Sequence, residues 1–538
     1  MKTLSIIFLV VPFAVYSAIV EAMDEIRPGD PKTGVPFWNA NAASFMYPPA
    51  FDFKDLPREN AERLHWRTVK FRFSLHCSDG KVRTFDAADP WASLKPIWAE
   101  VPVGPVVMTC EGLNAAGSST GYSGVRAFWR TAPFNVNAPR KTPKRSYAKA
   151  YEMAVDYIFK APELTSLVTG NGAPRKDLAL AGYPSKTYAA GIQAMISAAK
   201  SVPAHREEAL RVAHLCAEWL LKNSQKAGSP LEYWPETYAS DKEQECWSPN
   251  YRDRIMLLYP AQVGRAYLAL AGETGEKRWL EAARRIGETY VRVRRADGTW
   301  PIVMRIADGN VLFGNPVVPT GLMAFFEDLY RATQDMRWRT LGDECFAWLE
   351  KGPVADWNWE GQFEDTHPRA EKYGNLTHHA ALDVMLYMLK RHPGDQARLK
   401  LAREMMRFAE DQFVHWERPC LPDGRCLQFY GARFYRGEPS AWSVPSATEQ
   451  YDCYVAIDSS TAKLASSFYA IGRATGNMVD LAKARALCDR IVDMQCDDGN
   501  IPTFWNEANA HGGWLNCHIY TASVIRELIR LDSDQLTL

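Results

Sequence analysis

Ten consecutive residues carry four carboxylates, two indoles and an amide pair: Asp356-Trp357-Asn358-Trp359-Glu360-Gly361-Gln362-Phe363-Glu364-Asp365. A second acidic stretch, Glu449-Gln450-Tyr451-Asp452, leads to Asp458. Carboxylates beside aromatic rings suit cleavage of a glycosidic linkage. One protonated carboxyl donates to the leaving oxygen, and a second activates water or attacks the sugar. An apolar neighbour raises a carboxyl pKa toward the working pH. Glu360 directly follows Trp359, which makes it the leading acid, and Asp365, Glu449 and Asp452 compete for the second role. Trp357, Trp359, Trp300 and Trp514 are candidate platforms for sugar rings, with Gln362, Glu364, Lys186, His379, Arg254 and Tyr183 as further substrate contacts. Each also has an ordinary reading. A loop carboxylate is commonly a solvated turn or cap, a Trp commonly fills a core, and an Arg commonly pairs with a neighbouring acid.

The same segments admit a different chemistry. If the substrate is a uronate, a lyase or epimerase removes the proton beside its carboxylate, with Tyr or His as base and acid and Arg neutralising the charge. Tyr183, Tyr451, His378 and Arg254 fit those roles. A non-catalytic glycan-binding protein is the third reading, and it predicts binding without turnover. Metal chemistry is not expected. His378 and His379 are adjacent and point to different helix faces, and His379 with Asp383 supplies only two ligands. No cofactor is expected either, because no Gly-rich phosphate loop follows a strand.

These residues need elements to position them. From residue 146 the apolar period is helical, and twelve stretches begin near Tyr147, Ser185, Pro203, Tyr259, Glu276, Pro319, Gln334, Asn375, Asp395, Asp458, Asn477 and Trp514. Glu273-Thr274-Gly275 to Asp297-Gly298-Thr299-Trp300-Pro301 is echoed by Ala474-Thr475-Gly476 to Asp498-Gly499-Asn500-Ile501-Pro502, a repeat of a helical hairpin. Such a hairpin cannot bury its apolar stripe alone and must pack on its neighbours. Short connections near 199, 274, 333, 392 and 475 alternate with long ones at 161–184, 225–257, 295–317, 351–374, 415–456 and 496–513. If helices alternate between an outer and an inner ring, every long loop joins an outer helix to the next inner one. All the long loops then gather on one face. Loops longer than about 12–15 residues are uncommon unless functional. The expected fold is mainly α: an (α/α)6 toroid over 146–535, preceded by a small β-sandwich over 23–140 and a linker at 137–145. Alternation from Val69 to Leu75, strands at Val82–Phe85 and Val103–Cys110, and the turn Ser78-Asp79-Gly80-Lys81 support the sandwich.

The Asp-Gly-x-Trp-Pro turn at Asp297–Pro301, its weaker copy at Asp498–Pro502 and the count of six hairpins resemble the six-hairpin glycosidase superfamily, over about residues 146–531. The Trp357–Asp365 and Glu449-Gln450-Tyr451 segments look like those of Bacteroides-type members. The sandwich ahead of a toroid is also similar to the layout of exported polysaccharide-degrading proteins, several polysaccharide lyases and the glucuronyl epimerases. The resemblance implies a poly- or oligosaccharide substrate, with uronic-acid-containing glycans prominent. Inner-helix N-termini beneath the loop face would favour a substrate carboxylate.

Bulk composition narrows the setting. Of 538 residues, 47% are hydrophobic, and 63 basic and 63 acidic side chains cancel, which argues against a nucleic-acid partner. Lys2, the apolar run Leu4–Val20 and small residues at Ala18 and Ala22 read as a secretory signal over 1–22, with Val20-Glu21-Ala22 preferred for cleavage. A periplasmic or secreted protein with no stable membrane insertion after signal removal is expected, an uncleaved anchor being the alternative. The eleven Cys show no paired CxxC spacing, and Cys420 with Cys426 is the disulfide pair to test. Composition sets no oligomeric state.

Overall fold

The computed structural model describes residues 25–27, 37–53, 68–169, 183–238, 253–362, 372–420, 443–451, 455–505 and 513–533. The signal segment, Phe363–Asp365, Cys426 and Asp452 lie outside the described residues.

Among the described residues, twelve long helices follow the apolar period: α1 (Tyr147–Lys160), α2 (Pro184–Ser201), α3 (Arg206–Lys222), α4 (Tyr259–Thr274), α5 (Lys277–Val293), α6 (Thr320–Thr333), α7 (Met336–Lys351), α8 (His379–Arg391), α9 (Gln396–Phe413), α10 (Asp458–Thr475), α11 (Met478–Met494) and α12 (Leu515–Ser533). Helices α2, α4, α6, α8, α10 and α12 pack side by side and close into an inner ring. Each pairs with an outer helix: α2 with α3, α4 with α5, α6 with α7, α8 with α9, α10 with α11, and α12 with α1. The sixth hairpin therefore joins the two ends of the helical region. This is the (α/α)6 toroid, and the long loops all enter inner helices at their N-termini.

Three of the short inner-to-outer turns share one construction. Thr274, Thr333 and Thr475 each donate their hydroxyl to a carbonyl four residues back, at 2.9, 2.8 and 2.7 Å. A left-handed residue follows: Gly275, Gln334 and Gly476 at φ 74°, 60° and 69°. Gly meets no Cβ penalty there. A third copy of the repeat thus exists at Thr333, hidden in the sequence because Gln334 stands where the others have Gly. Asp335 and Asn477 then cap the outgoing helices by accepting from the backbone N–H of Arg337 and Val479. The helix expected near Asn375 begins only at His379, because the preceding residues are extended and bridge to other loops.

The N-terminal region forms a five-stranded sheet from Ser44–Phe45 (β1), Lys70–Cys77 (β3), Val82–Ala87 (β4), Gly104–Leu113 (β6) and Ser119–Arg130 (β7), in the order β1-β7-β6-β3-β4. All neighbours are antiparallel except β1 and β7. A ribbon of Ala50–Asp52 (β2) and Trp91–Ser93 (β5) lies over its apolar face, where Phe51 meets Phe45 and Phe128 at ring distances of 5.6 and 5.5 Å. The sandwich is lopsided, and its buried side chains run continuously into those of the toroid. The connection at 137–145 is fastened down. Arg140 forks onto Asp489 at 2.7 and 2.8 Å and also reaches Asp532. The long loops hold secondary structure of their own. Arg254–Met256 (β8), Pro301–Arg305 (β9) and Val311–Pro316 (β10) make a three-stranded sheet, and Val414–His415 (β11) pairs with Ser446–Ala447 (β12). No helix among the described residues is long and apolar enough to cross a membrane.

Candidate functional site

Inner helices of a solid bundle would turn apolar faces toward the ring axis. Here several turn polar ones. Lys186 and Gln193 on α2, Gln262 and Arg265 on α4, Thr320 on α6, His379 and Asp383 on α8, Ser459 and Lys463 on α10, and Asn516 and Tyr520 on α12 line one central cavity of about 490 Å³. Spacings of three, four or seven residues keep these side chains on one helix face. The loop face adds Glu360, Gln362, Thr377, Glu449 and Trp514.

Three loop segments build the rim. Glu360 bridges to Leu376, and Thr377 bridges to Gln450, so residues 375–377 run between the two acidic loops. The Thr377 N–H donates to the Trp359 carbonyl at 2.9 Å, and the Tyr451 N–H donates to the Leu376 carbonyl at 3.1 Å. The Thr377 hydroxyl donates to the Glu449 carbonyl at 2.8 Å, and the Asn375 amide donates to Gln450 Oε1 at 2.7 Å. This ladder fixes where Glu360 and Glu449 enter the cavity. Glu449 Oε1 lies 3.5 Å from His379 Nε2. The Lys186 ammonium sits 5.7 Å from the centre of the Trp514 ring.

Deeper in the ring, Asp383 accepts from the Lys463 ammonium and, at 3.0 Å, from the Thr320 hydroxyl. Burial opposes its charge, but Lys463, His379 and Thr320 outweigh burial and hold the Asp383 carboxyl below its ordinary value. Asp458, behind the cavity wall, behaves oppositely. Burial, reinforced by the charge of Glu449, pushes it well above the carboxylate range while it accepts from Thr521 at 2.8 Å. His378 is fully buried, and burial, with His379 and Lys463 adding to it, holds its ring neutral.

The residues singled out in the sequence separate into groups. Glu360, Glu449, His379, Gln362, Lys186 and Trp514 share the cavity. Gln362 is also a brace: it accepts from the Val318 N–H at 2.8 Å and donates to the Pro316 carbonyl at 2.9 Å. Asp365, Glu364 and Asp452 lie outside the described residues. The sugar-platform reading of three Trp is corrected. Trp357, Trp359 and Trp300 are 1%, 0% and 2% exposed and present no face to a ligand. Trp357 and Trp359 meet edge to face at 5.8 Å, and the Trp300 indole donates to the Tyr290 carbonyl at 2.8 Å. His378 stands behind His379 at a ring distance of 4.2 Å, away from the cavity. Tyr183 is buried against Tyr238, 5.9 Å away. Tyr451 donates to Gln412 Oε1 at 2.7 Å and borders a separate small cavity beside Asn41 and His415. Arg254 lies on β8 with its guanidinium 5.5 Å from the Phe313 ring. None of these three lines the central cavity.

Sequence reasoning passed over Arg265, Gln193, Gln262, Thr320 and Lys463. Their signal was present: a polar residue recurring one helical turn apart within an otherwise apolar inner helix, as in Gln262/Arg265 and Ser459/Lys463. Among the described residues no cluster of three or more His, Cys, Asp or Glu is placed to hold a metal ion.

No protein-family model and no curated protein sequence matches the chain. Solved structures do. A sugar epimerase from a ruminal bacterium superposes with a TM-score of 0.51 at 14% identity, covering 72% of this chain and 99% of that one. A family 76 glycoside hydrolase from a bovine Bacteroides thetaiotaomicron strain gives 0.48 at 10% identity, covering 87% and 94%. A cellobiose 2-epimerase from Spirochaeta thermophila gives 0.48 at 11% identity, covering 72% and 97%. The chain has the six-hairpin toroid fold of such proteins.

Proposed function

We propose that the protein is a carbohydrate-active enzyme that hydrolyses a glycosidic linkage at the rim of the central cavity, with Glu360 and Glu449 as the carboxylate pair. One observation carries this reading: two acids from separate long loops line one cavity and are held apart by a third segment. Two strand spacings put the outer backbones about 10 Å apart. An inverting mechanism needs about 6.5–9.5 Å between the two carboxyl groups, which leaves room for a water. Glu360 takes the acid role. Glu449, polarised by His379, takes the base role. Lys186 sits in the first turn of α2, where helix dipole and ammonium together favour an anionic group. That placement supports a uronic-acid-containing poly- or oligosaccharide. The apolar leader at 1–22 supports action in the periplasm or outside the cell.

A second reading has its own observation. The His379–Glu449 contact also suits proton transfer at carbon beside a carboxylate, as in a lyase or epimerase. The chemistry differs in its products. Mature protein is incubated with uronic-acid glycans and aryl glycosides while reducing ends and ultraviolet absorbance are followed together. Reducing ends without absorbance are expected. Absorbance rising with the ends means β-elimination and transfers the chemistry to His379. An epimerised product without new ends sinks hydrolysis as well.

A further inference from the structure

The floor of the cavity is charged, and the glycosidic chemistry at the rim leaves that floor without a role. Asp383 lies one turn below His379 on α8, about 6 Å further along the axis. Lys463 lies one turn below Ser459 on α10, at the same depth. Asp383 exposes 38% of its side chain although it sits inside the ring, and Lys463 exposes 12%. What Asp383 faces is the cavity. Behind the pair is a second cavity of about 280 Å³, whose walls include Glu327, Asp328, Arg331 and Lys390. Arg265 belongs to both cavities and is tied to Asp328 at 2.8 Å. The pair is therefore a partition across the ring, not a staple buried between two helices.

Given the reading of the rim as a glycosidase site, on which this rests, we propose that Asp383 and Lys463 form the subsite that grips the terminal sugar ring, so that the enzyme works from chain ends. Three features support it. Six inner helices surround the cavity at this depth, so a glycan that enters from the loop face meets the pair with its end. An adjoining carboxylate and ammonium offer an acceptor and donors together, which matches two neighbouring hydroxyls of one ring. Gln193 and Gln262 add amide groups on the same wall, and both are exposed to the cavity. A ring seated on this floor leaves its glycosidic oxygen one turn higher, at the level of Glu360 and Glu449.

The test separates binding from turnover. Full-length mature protein carrying Glu360→Gln is titrated calorimetrically with monosaccharides and linear di- to hexasaccharides of neutral and uronic sugars. Affinity is expected to level off beyond the first two or three units, because later units lie outside the ring. Adding Asp383→Asn or Lys463→Met is expected to weaken the best binder at least tenfold. Asp383→Asn retains a hydrogen-bonding side chain, so it tests the idea should Lys463→Met fail to fold. Affinity within twofold of the parent in either folded variant overturns the floor subsite. So does release of mid-chain fragments by the wild-type enzyme acting on long chains. Loss of affinity in these variants without any glycan hydrolysis by wild type keeps the floor and overturns the rim chemistry. A panel in which nothing binds overturns both.

Discussion

Asp411 gives the sharpest physical test of how the N-terminal strands hold to the toroid. It lies near the C-terminal end of α9 and is buried. Its Oδ1 accepts the backbone N–H groups of Met46 and Tyr47, the latter at 2.8 Å, just beyond β1. Burial pushes its pKa from 3.8 up to about 7, although these donors pull the other way. The folded protein thus binds this proton more tightly than the unfolded chain does. The stabilisation is present in full below pH about 4 and is lost as the pH rises through about 7. A gap of that size corresponds to about 4 kcal/mol. At about 2.1 cal/mol/K per residue, the whole chain unfolds with an entropy of roughly 1.1 kcal/mol/K, so the swing is worth about 3–4 °C in Tm. Asp411→Asn keeps an oxygen for both N–H donors and cannot titrate. Melting wild type and variant side by side at pH 4.5 and pH 8.5 cancels every other titrating group. The variant is expected to gain about 3–4 °C relative to wild type on going to the higher pH. A Tm difference that is the same at both pH values refutes the reasoning and makes Asp411 an ordinary ionised acceptor.

Three further outcomes follow from particular contacts. Glu360→Gln is expected to abolish turnover, and Glu449→Gln to lower kcat at least a hundredfold, with unchanged circular dichroism; kinetics on the best substrate checks both. Trp514→Ala is expected to weaken saccharide binding with little loss of stability, whereas Trp359→Ala costs about 3–5 kcal/mol in denaturant unfolding, and equal stability loss in the two would place them in the same environment. Gly298→Ala and Gly499→Ala both force a side chain into a positive-φ position, at a cost of about 1–2 kcal/mol each. At Gly298 the new Cβ meets only the mobile end of Arg294 at 2.9 Å, while at Gly499 it meets the Met153 carbonyl oxygen at 2.1 Å, so Gly499→Ala is expected to melt several degrees lower than Gly298→Ala.

The toroid was readable because its construction is local. Helix length, the Thr–Gly turns and the alternation of short and long loops are all written along the chain, and together they dictate an inner and an outer ring. The sites were harder because depth is not local. Trp357 and Trp359 stand among Asp, Asn, Glu and Gln, a polar context that reads as surface. In the fold, the ladder of residues 359–361, 375–377 and 449–451 closes over them, and Phe408 meets Trp357 edge to face at 6.0 Å. The floor was missed for the converse reason. Lys463 sits in an apolar helix with its partner Asp383 eighty residues away, and the packing of α10 on α8 brings them together.

Ring closure also explains why the two copies of the Asp-Gly turn diverged. Both have the same hydrogen bonds: Asp297 and Asp498 accept from the N–H two residues on, at 3.0 and 2.9 Å. The first copy joins α5 to the next hairpin within the chain, and Trp300 fills the gap there against Tyr290 and Phe326. The second lies at the seam between α11 and α1, where chain continuity does nothing to hold the ring shut. Polar anchors replace the indole. Gln495 donates to the carbonyls of Ala150 and Gly499 at 2.9 and 3.0 Å, and Ile501 N–H donates to His518 Nδ1 at 3.1 Å. Tyr147 gives its hydroxyl to Asp489 at 2.7 Å and its N–H to Asp532 at 2.9 Å, the acids that also take Arg140. A ring with a seam stays closed only if the seam resists shear, and hydrogen bonds to backbone resist it with a direction that apolar contact lacks.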